Sequence, residues 1–232
     1  KHRFKKRGLA FTPVKLRISF TVQFLTQAGA VVHIYTDGSI HVNHGGTEMG
    51  QGLFVKVAQI VASEFDVDID TVQVSATATD KVPNTSPTAA SSGTDLNGKA
   101  AQNACLTIKS RLLDFAEQHY GVGRDALRFE QNHLVVKGDS EQWVAFSDFI
   151  MLAYQARVSL SSTGFYSTPK IHYDRDSATG RPFFYYALGA SCREVAVDTL
   201  TGEYRIIRTD IFHDAGRSLH PALAIGHIDG GF

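Results

Sequence analysis

The stretch "HVNHGGTEMGQGLF", residues 41–54, changes its period part-way along. Apolar and polar residues alternate up to His44, as on a strand with one face buried. From Gln51 onward Phe54, Val57, Ala58, Val61 and Phe65 recur at helical spacing. Gly45, Gly46, Gly50 and Gly52 fill the change-over. Glycine carries no Cβ, so a strand that runs into a helix through these positions exposes backbone where the first helical N–H groups lack partners. That end of a helix also carries the positive pole of its macrodipole, and phosphate is its natural guest.

Working outward, residues 30–44 read as a hairpin closed by Asp37-Gly38, a dipeptide that tolerates the positive φ of a tight turn. Residues 17–24, "RISFTVQF", alternate as a further strand, so the first 45 residues look like a meander. "TVQVSATAT" (71–79) returns to strand after the helix and completes a β-α-β unit. Residues 80–98, dense in Pro, Ser, Thr, Asn and Gly, read as an extended loop feeding a second helix. Ala101, Ala104, Cys105, Ile108, Leu112 and Phe115 form that helix's buried stripe, with Gly121 and Gly123 beyond its end. Later segments give a strand at 133–138, a helix at 146–157 with Ser147 as N-cap, and strands at 181–198 and 202–214 joined through "TLTG". Strands outnumber helices without regular alternation, so the fold class is α+β, mixed β-sheets with packed helices, and no linker marks an internal domain boundary.

Two loops thus lead into two helix N-termini. The first has neither the GxGxxG spacing nor the GxxxxGK[ST] phosphate loop, which disfavours an ordinary nucleotide fold. Gln51, neutral and able both to donate and to accept, suits a polar heterocycle carrying a phosphate. The second loop adds the hydroxyls of Thr85, Ser86, Thr88, Ser91, Ser92 and Thr94, which otherwise read as turn and cap residues.

With 232 residues, 43% of them hydrophobic, the chain can bury one large core or two small ones. Lys+Arg and Asp+Glu both number 23, so no overall field attracts nucleic acid or an anionic membrane, and the basic start "KHRFKKRG" reads as a solvated terminal segment. No apolar run approaches the ~18 to 20 residues of a membrane span, and no signal peptide is evident. Cys105 and Cys192, without CxxC spacing, fit a reducing cytoplasm. His41 with His44, or His213 with Asp214, are the pairs that a metal-site reading would use, but no HExxH, HxH or Cys/His cluster exists. The ending "AIGHIDGGF" suggests a piece of a longer chain.

"GGTEMGQG", followed by "DKVPNTSPTAAS" and "DLNG", resembles the C-terminal molybdenum-cofactor domain of the xanthine dehydrogenase and aldehyde oxidase family, the molybdenum hydroxylases. The likeness continues through "SSTGFYSTP" (161–169), "GASCREVAVDTLTGEYRIIRTDI" (189–211) and "DAGRSLHPALAIGHIDGGF", and it is nearest to the xanthine dehydrogenases. The resemblance implies that Met49, Gly50 and Gln51 border molybdopterin, with Thr88, Ala89, Ala90 and Ser91 approaching from the second loop. It implies that Phe20 packs on a flat purine and that Thr21 hydrogen-bonds it. It also implies hydroxylation of xanthine or hypoxanthine at an electron-poor carbon by molybdenum-bound hydroxide, with hydride passing to a sulfido ligand. The metal is held by pterin sulfur and not by side chains. The family's [2Fe–2S] clusters and FAD are implied elsewhere in the enzyme, since two separated cysteines cannot supply a cluster's four ligands. The family's catalytic glutamate is expected beyond Phe232, so no general base is assigned here, the isolated piece is expected to be inactive and prone to self-association, and Glu48 matches a structural position. Leu16-Arg17, Gly93 and His220 depart from the family pattern. A non-catalytic nucleotide- or phosphate-binding module, a purely structural domain and an aldehyde-oxidising relative are the alternative readings.

Overall fold

The computed structural model describes residues 3–137 and 140–231. In chain order the elements are β1 (Lys5–Arg17), β2 (Gln27–Ile34), β3 (Ile40–His44), α1 (Leu53–Phe65), β4 (Val72–Val74), α2 (Gly93–Tyr120), β5 (Leu127–Glu130), β6 (His133–Lys137), β7 (Glu141–Ala145), α3 (Phe146–Gln155), β8 (Ser161–Ser167), β9 (His172–Asp174), β10 (Thr179–Arg181), β11 (Tyr186–Asp198), β12 (Tyr204–Asp214) and α4 (Pro221–Gly231). Mixed sheets with four helices among the described residues make the class α+β, as the sequence pattern implies. No described helix is long and apolar enough to cross a membrane.

The chain forms two compact units, one of residues 3–18 with 185–231, the other Ser19–Phe184. It passes from one to the other at Ile18/Ser19 and Phe184/Tyr185 without a Pro/Gly-rich linker, which is why composition marks no border.

In the larger unit the sheet runs β4-β3-β2-β8. Asp37 closes the β2–β3 hairpin by accepting the Ser39 N–H at 2.9 Å and hydroxyl at 2.6 Å, and Gly38 takes φ +86. Alternation then sends Ala30, Val32 and Ile34 of β2, with Ile40, Val42 and His44 of β3, into the core. β4 runs parallel to β3, so β3-α1-β4 is the expected β-α-β unit. Val57, Val61 and Phe65 of α1 are fully buried, each contributing roughly 1.5–3 kcal/mol relative to exposure. α2 packs beside α1 and across β2 and β8. It approaches β8 so closely that a Cβ on Gly164 would fall 2.0 Å from the Ala100 carbonyl oxygen and 2.6 Å from the Ala104 nitrogen. A second sheet, β5-β6-β7, joins α3 to the core through the ring cluster of Phe65, Phe129, Phe146 and Phe149.

The smaller unit is an antiparallel sheet in the order β1-β11-β12, with α4.

Several expectations need correction. Residues 17–24 are not a strand: β1 ends at Arg17, Ser19 turns the backbone with φ +80, and Gln23–Leu25 form a short 3-10 turn. The first 45 residues are not a meander, because β1 pairs with distant β11 and not with β2. Lys5–Gly8 of the basic start are exposed yet belong to β1, while Lys1 and His2 lie outside the described residues. The strand expected at 71–79 stops at Val74, and α2 begins at Gly93 inside the expected loop. Ser147 is not an N-cap; that position falls to Ala145, with no side-chain bond. Helix 146–157 ends at Gln155 and strand 181–198 starts at Tyr186. Gly138, the end of the expected strand at 133–138, is outside the described residues.

Because backbone stands on the other side of Gly164 and cannot rotate away, Gly164→Ala is expected to cost about 3 kcal/mol. The check is the denaturant midpoint of the full-length protein; an unchanged midpoint would contradict the packing.

Candidate functional site

β3 delivers the first loop, residues 45–52, to the start of α1. Gly45 and Gly46 let it lie against the second loop and α2. A Cβ on Gly45 would fall 2.0 Å from Thr85 Cγ2, and one on Gly46 2.5 Å from Leu53 Cδ2 and 2.7 Å from Asn97 Nδ2. Asn97 Nδ2 in turn donates to the Gly93 carbonyl at 2.8 Å. The two loops are joined directly: Thr47 N–H donates to Thr88 Oγ1 at 2.8 Å.

The N-terminus of α1 corrects the expectation of a phosphate seat. Glu48 Oε1 accepts the N–H groups of Gly50 at 2.9 Å and Gly52 at 3.0 Å, and Oε2 accepts that of Phe54 at 2.9 Å. The protein's own carboxylate thus takes the place an outside anion would take. Burial pushes the Glu48 carboxyl up, but the N–H bonds from Phe54, Gly52 and Gly50 together outweigh it and hold it below its ordinary value. Glu48 thus closes the start of α1. Gln51 is likewise spent inside the loop, its Oε1 accepting Met49 N–H at 2.6 Å and its Nε2 donating to the Thr47 carbonyl at 2.8 Å. What the loop presents outward is the Met49 side chain, 66% exposed, and the backbone at Gly50, where φ is +95 and a Cβ would meet nothing within 4 Å.

In the second loop, Ser86 Oγ donates to the Gln27 carbonyl at 2.9 Å and Ser92 Oγ to that of Ala89 at 2.9 Å. Ser92 therefore does not cap α2 with its side chain. Ala90 and Ser91 take φ +53 and +57, a left-handed conformation that costs non-glycine residues of order 1 kcal/mol each. Ser19 N–H donates to the Ala90 carbonyl at 2.8 Å, which seats the half-buried Phe20 and Thr21 beside this loop. All nine proposed site residues thus lie on three segments linked by Ser19–Ala90 and Thr47–Thr88. Next to them a cavity of about 420 Å³ is lined by Phe24, Leu25 and Gln27 on one side and Asn84, Thr85 and Ser86 on the other.

Thr47, Ser19 and Asn97 escaped the sequence reading. Their roles depend on residues far away in the chain, and no local pattern signals them.

The histidine pairs do not assemble. Alternation along β3 puts His41 on the sheet face that stacks it on His33 and puts His44 on the buried face, and His213 and Asp214 are successive positions of β12. Among the described residues no group of three or more His, Cys, Asp or Glu could hold a metal ion.

The whole chain, residues 1–232, matches the family described as molybdopterin cofactor-binding domain. The chain belongs to this family. It is 46% identical over 229 residues to a xanthine dehydrogenase/oxidase of Felis catus, covering 99% of the chain and 16% of that protein. It is 43% identical over 231 residues to a xanthine dehydrogenase of Oryza sativa subsp. japonica, covering 100% of the chain and 15% of that protein. The chain thus spans about a sixth of the length of these curated relatives. Its fold is similar to part of quinoline 2-oxidoreductase from Pseudomonas putida 86, with a TM-score of 0.83 at 21% identity over 99% of this chain and 29% of that one. The family resemblance read from the motifs holds, and molybdopterin is the cofactor of the domain.

The two loops of this molybdopterin-binding domain fit such a group. Open backbone stands at Gly50, and Ser19 Oγ, Thr85 Oγ1 and Asn97 Oδ1 are buried polar atoms without a hydrogen-bond partner among the described residues. The groups left open are bare glycine backbone, two hydroxyls and an amide oxygen, none of them a metal-ligating side chain, which suits a cofactor that brings its own metal ligands.

The base of the first loop is sensitive to acid. His44 is 1% exposed, and its Nδ1 accepts the Gly46 N–H at 3.1 Å. Burial pushes its pKa down to about 4, with the Glu48 charge opposing. Between that value and the 6.5 of an exposed imidazole, the unfolded chain binds a proton that the folded one refuses. Stability is therefore present in full above about pH 6.5 and lost as pH falls toward about 4, by roughly 3 kcal/mol at most. His44→Gln keeps an acceptor for Gly46 and takes no proton. Denaturation across this window is expected to be less steep in pH for the variant; identical slopes would rule His44 out.

Proposed function

We propose that the chain is the molybdopterin-binding portion of a xanthine dehydrogenase, an oxidoreductase that hydroxylates xanthine or hypoxanthine in purine catabolism. The observation that carries the site assignment is the Thr47–Thr88 hydrogen bond, which sets the turn of Met49, Gly50 and Gln51 beside Thr88, Ala89, Ala90 and Ser91. The substrate assignment rests on the 43–46% identity to xanthine dehydrogenases.

In this reading the bare backbone at Gly50, unobstructed by a Cβ, comes against the pterin, and Met49 covers one side. Ala90 and Ser91, held left-handed, aim the second loop at the same group. Gln51 acts through its two bonds within the loop, keeping Gly50 presented. Phe20 lays a ring face on the flat purine and Thr21 offers it a hydroxyl, both placed by the Ser19–Ala90 bond. When bound, the molybdenum centre supplies the two-electron oxidation and the oxygen-transfer chemistry. Electrons leave through iron–sulfur and FAD parts that this segment does not bind, and those remaining segments of the enzyme are its partners. The setting is cytoplasmic.

Gln51→Ala in the full-length protein is expected to lower molybdenum and oxidised-pterin content about tenfold, read by metal analysis and pterin fluorescence. Phe20→Ala is expected to retain cofactor and lose about tenfold or more in kcat/KM for xanthine. Cofactor content indifferent to Gln51→Ala would remove the first loop from the site. An unchanged kcat/KM in Phe20→Ala would remove the substrate wall.

A further inference from the structure

The smaller unit holds a cavity of about 440 Å³ between one face of its sheet and α4. Gly189, Ser191 and Arg193 alternate onto that face of β11, and the register sets His213 of β12 opposite Gly189. The glycine makes the arrangement feasible, because a Cβ on Gly189 would fall 2.6 Å from His213 Nδ1. α4 adds His227 and Ile228, and Val14 of β1 supplies an apolar wall.

Two of these groups lack compensation. Ser191 is 2% exposed, and its hydroxyl has no hydrogen-bond partner among the described residues. Arg193 is half-buried and, among the described residues, forms no ion pair, while no acidic side chain lines the cavity. A partly desolvated guanidinium without a counter-charge, beside a buried donor without an acceptor, is matched by an anion that satisfies both. Among the described residues Arg193 is the one side chain of fixed charge in the lining, so a singly charged anion matches it. The apolar walls then take the body that carries the charge.

We propose that this cavity binds a small organic carboxylate. Arg193 receives the carboxylate as a fork, Ser191 and the imidazoles of His213 and His227 hydrogen-bond it, and Val14 and Ile228 cover its apolar part. No residue of the two cofactor loops takes part.

The test is isothermal titration of the full-length protein with benzoate and, separately, inorganic phosphate. Saturable benzoate binding is expected, with phosphate at least about tenfold weaker. Arg193→Gln is expected to weaken benzoate at least about tenfold and to leave molybdenum and pterin content unchanged. Gly189→Ala, by displacing His213, weakens it as well. Ser191→Ala weakens benzoate while the ligand-free Tm holds or rises, because an uncompensated buried hydroxyl is removed; a purely structural serine would lower it. Absence of saturable benzoate binding, phosphate binding as tightly as benzoate, or affinity indifferent to Arg193→Gln overturns the proposal. Loss of molybdenum and pterin from Arg193→Gln also overturns it, by assigning the cavity to the cofactor.

Discussion

Every α-helix begins with amide groups that have no partner inside it, and the way α1 disposes of its own shapes the loop beside it. Glu48 reaches forward to accept three of them, at Gly50, Gly52 and Phe54. To do so the chain between residues 48 and 54 must curl around its own carboxylate, which is feasible because Gly50 and Gly52 accept positive φ. Gln51 then closes the curl from the other side through Thr47 and Met49. The loop is therefore a preformed object whose polar side chains face inward. What remains for a ligand is backbone at Gly50 and the flexible thioether of Met49.

That constraint propagates. Fixing Thr47 directs its N–H at Thr88, and the second loop takes its path from there into α2. Ala90 and Ser91 in the left-handed region, bonded to a Ser19 that is left-handed too, concentrate backbone strain where the three segments meet. Strain of this kind persists only where surrounding contacts over-determine it, and here the sheet, α1 and α2 do so. A cofactor that carries its own metal ligands asks a protein for such rigid, shaped backbone and for few charged groups. A fold shared with parts of quinoline 2-oxidoreductase and of carbon monoxide dehydrogenase sets the frame without choosing the substrate.

Local patterns located what depends on neighbours in sequence. The Asp37-Gly38 hairpin, the stripes of α1 and α2 and the β3-α1-β4 unit were legible because burial of one face imposes a period of 2 or 3.6 on the residues themselves. Residues 17–24 show the limit. Their alternation is that of a strand, yet Ser19 gives its N–H to Ala90 and not to a neighbouring strand, and no feature of "RISFTVQF" announces a partner seventy residues away. Gln51 shows it too: its side chain looks available to a ligand in the sequence and is bonded to the Met49 and Thr47 backbone in the fold.

The sequence by itself determined the α+β class, the two glycine- and hydroxyl-rich approaches to helices, and membership of a cofactor-binding family, since periodicity and motif spacing are properties of contiguous residues. Only the tertiary structure decided which groups satisfy which. The pairing of β1 with β11, the closure of α1 by Glu48, the meeting of Thr47 with Thr88 and of Ser19 with Ala90, and the opposition of Gly189 to His213 all join residues whose proximity arises when the chain packs. A hydrogen bond or close contact between distant positions leaves no periodic mark on either one.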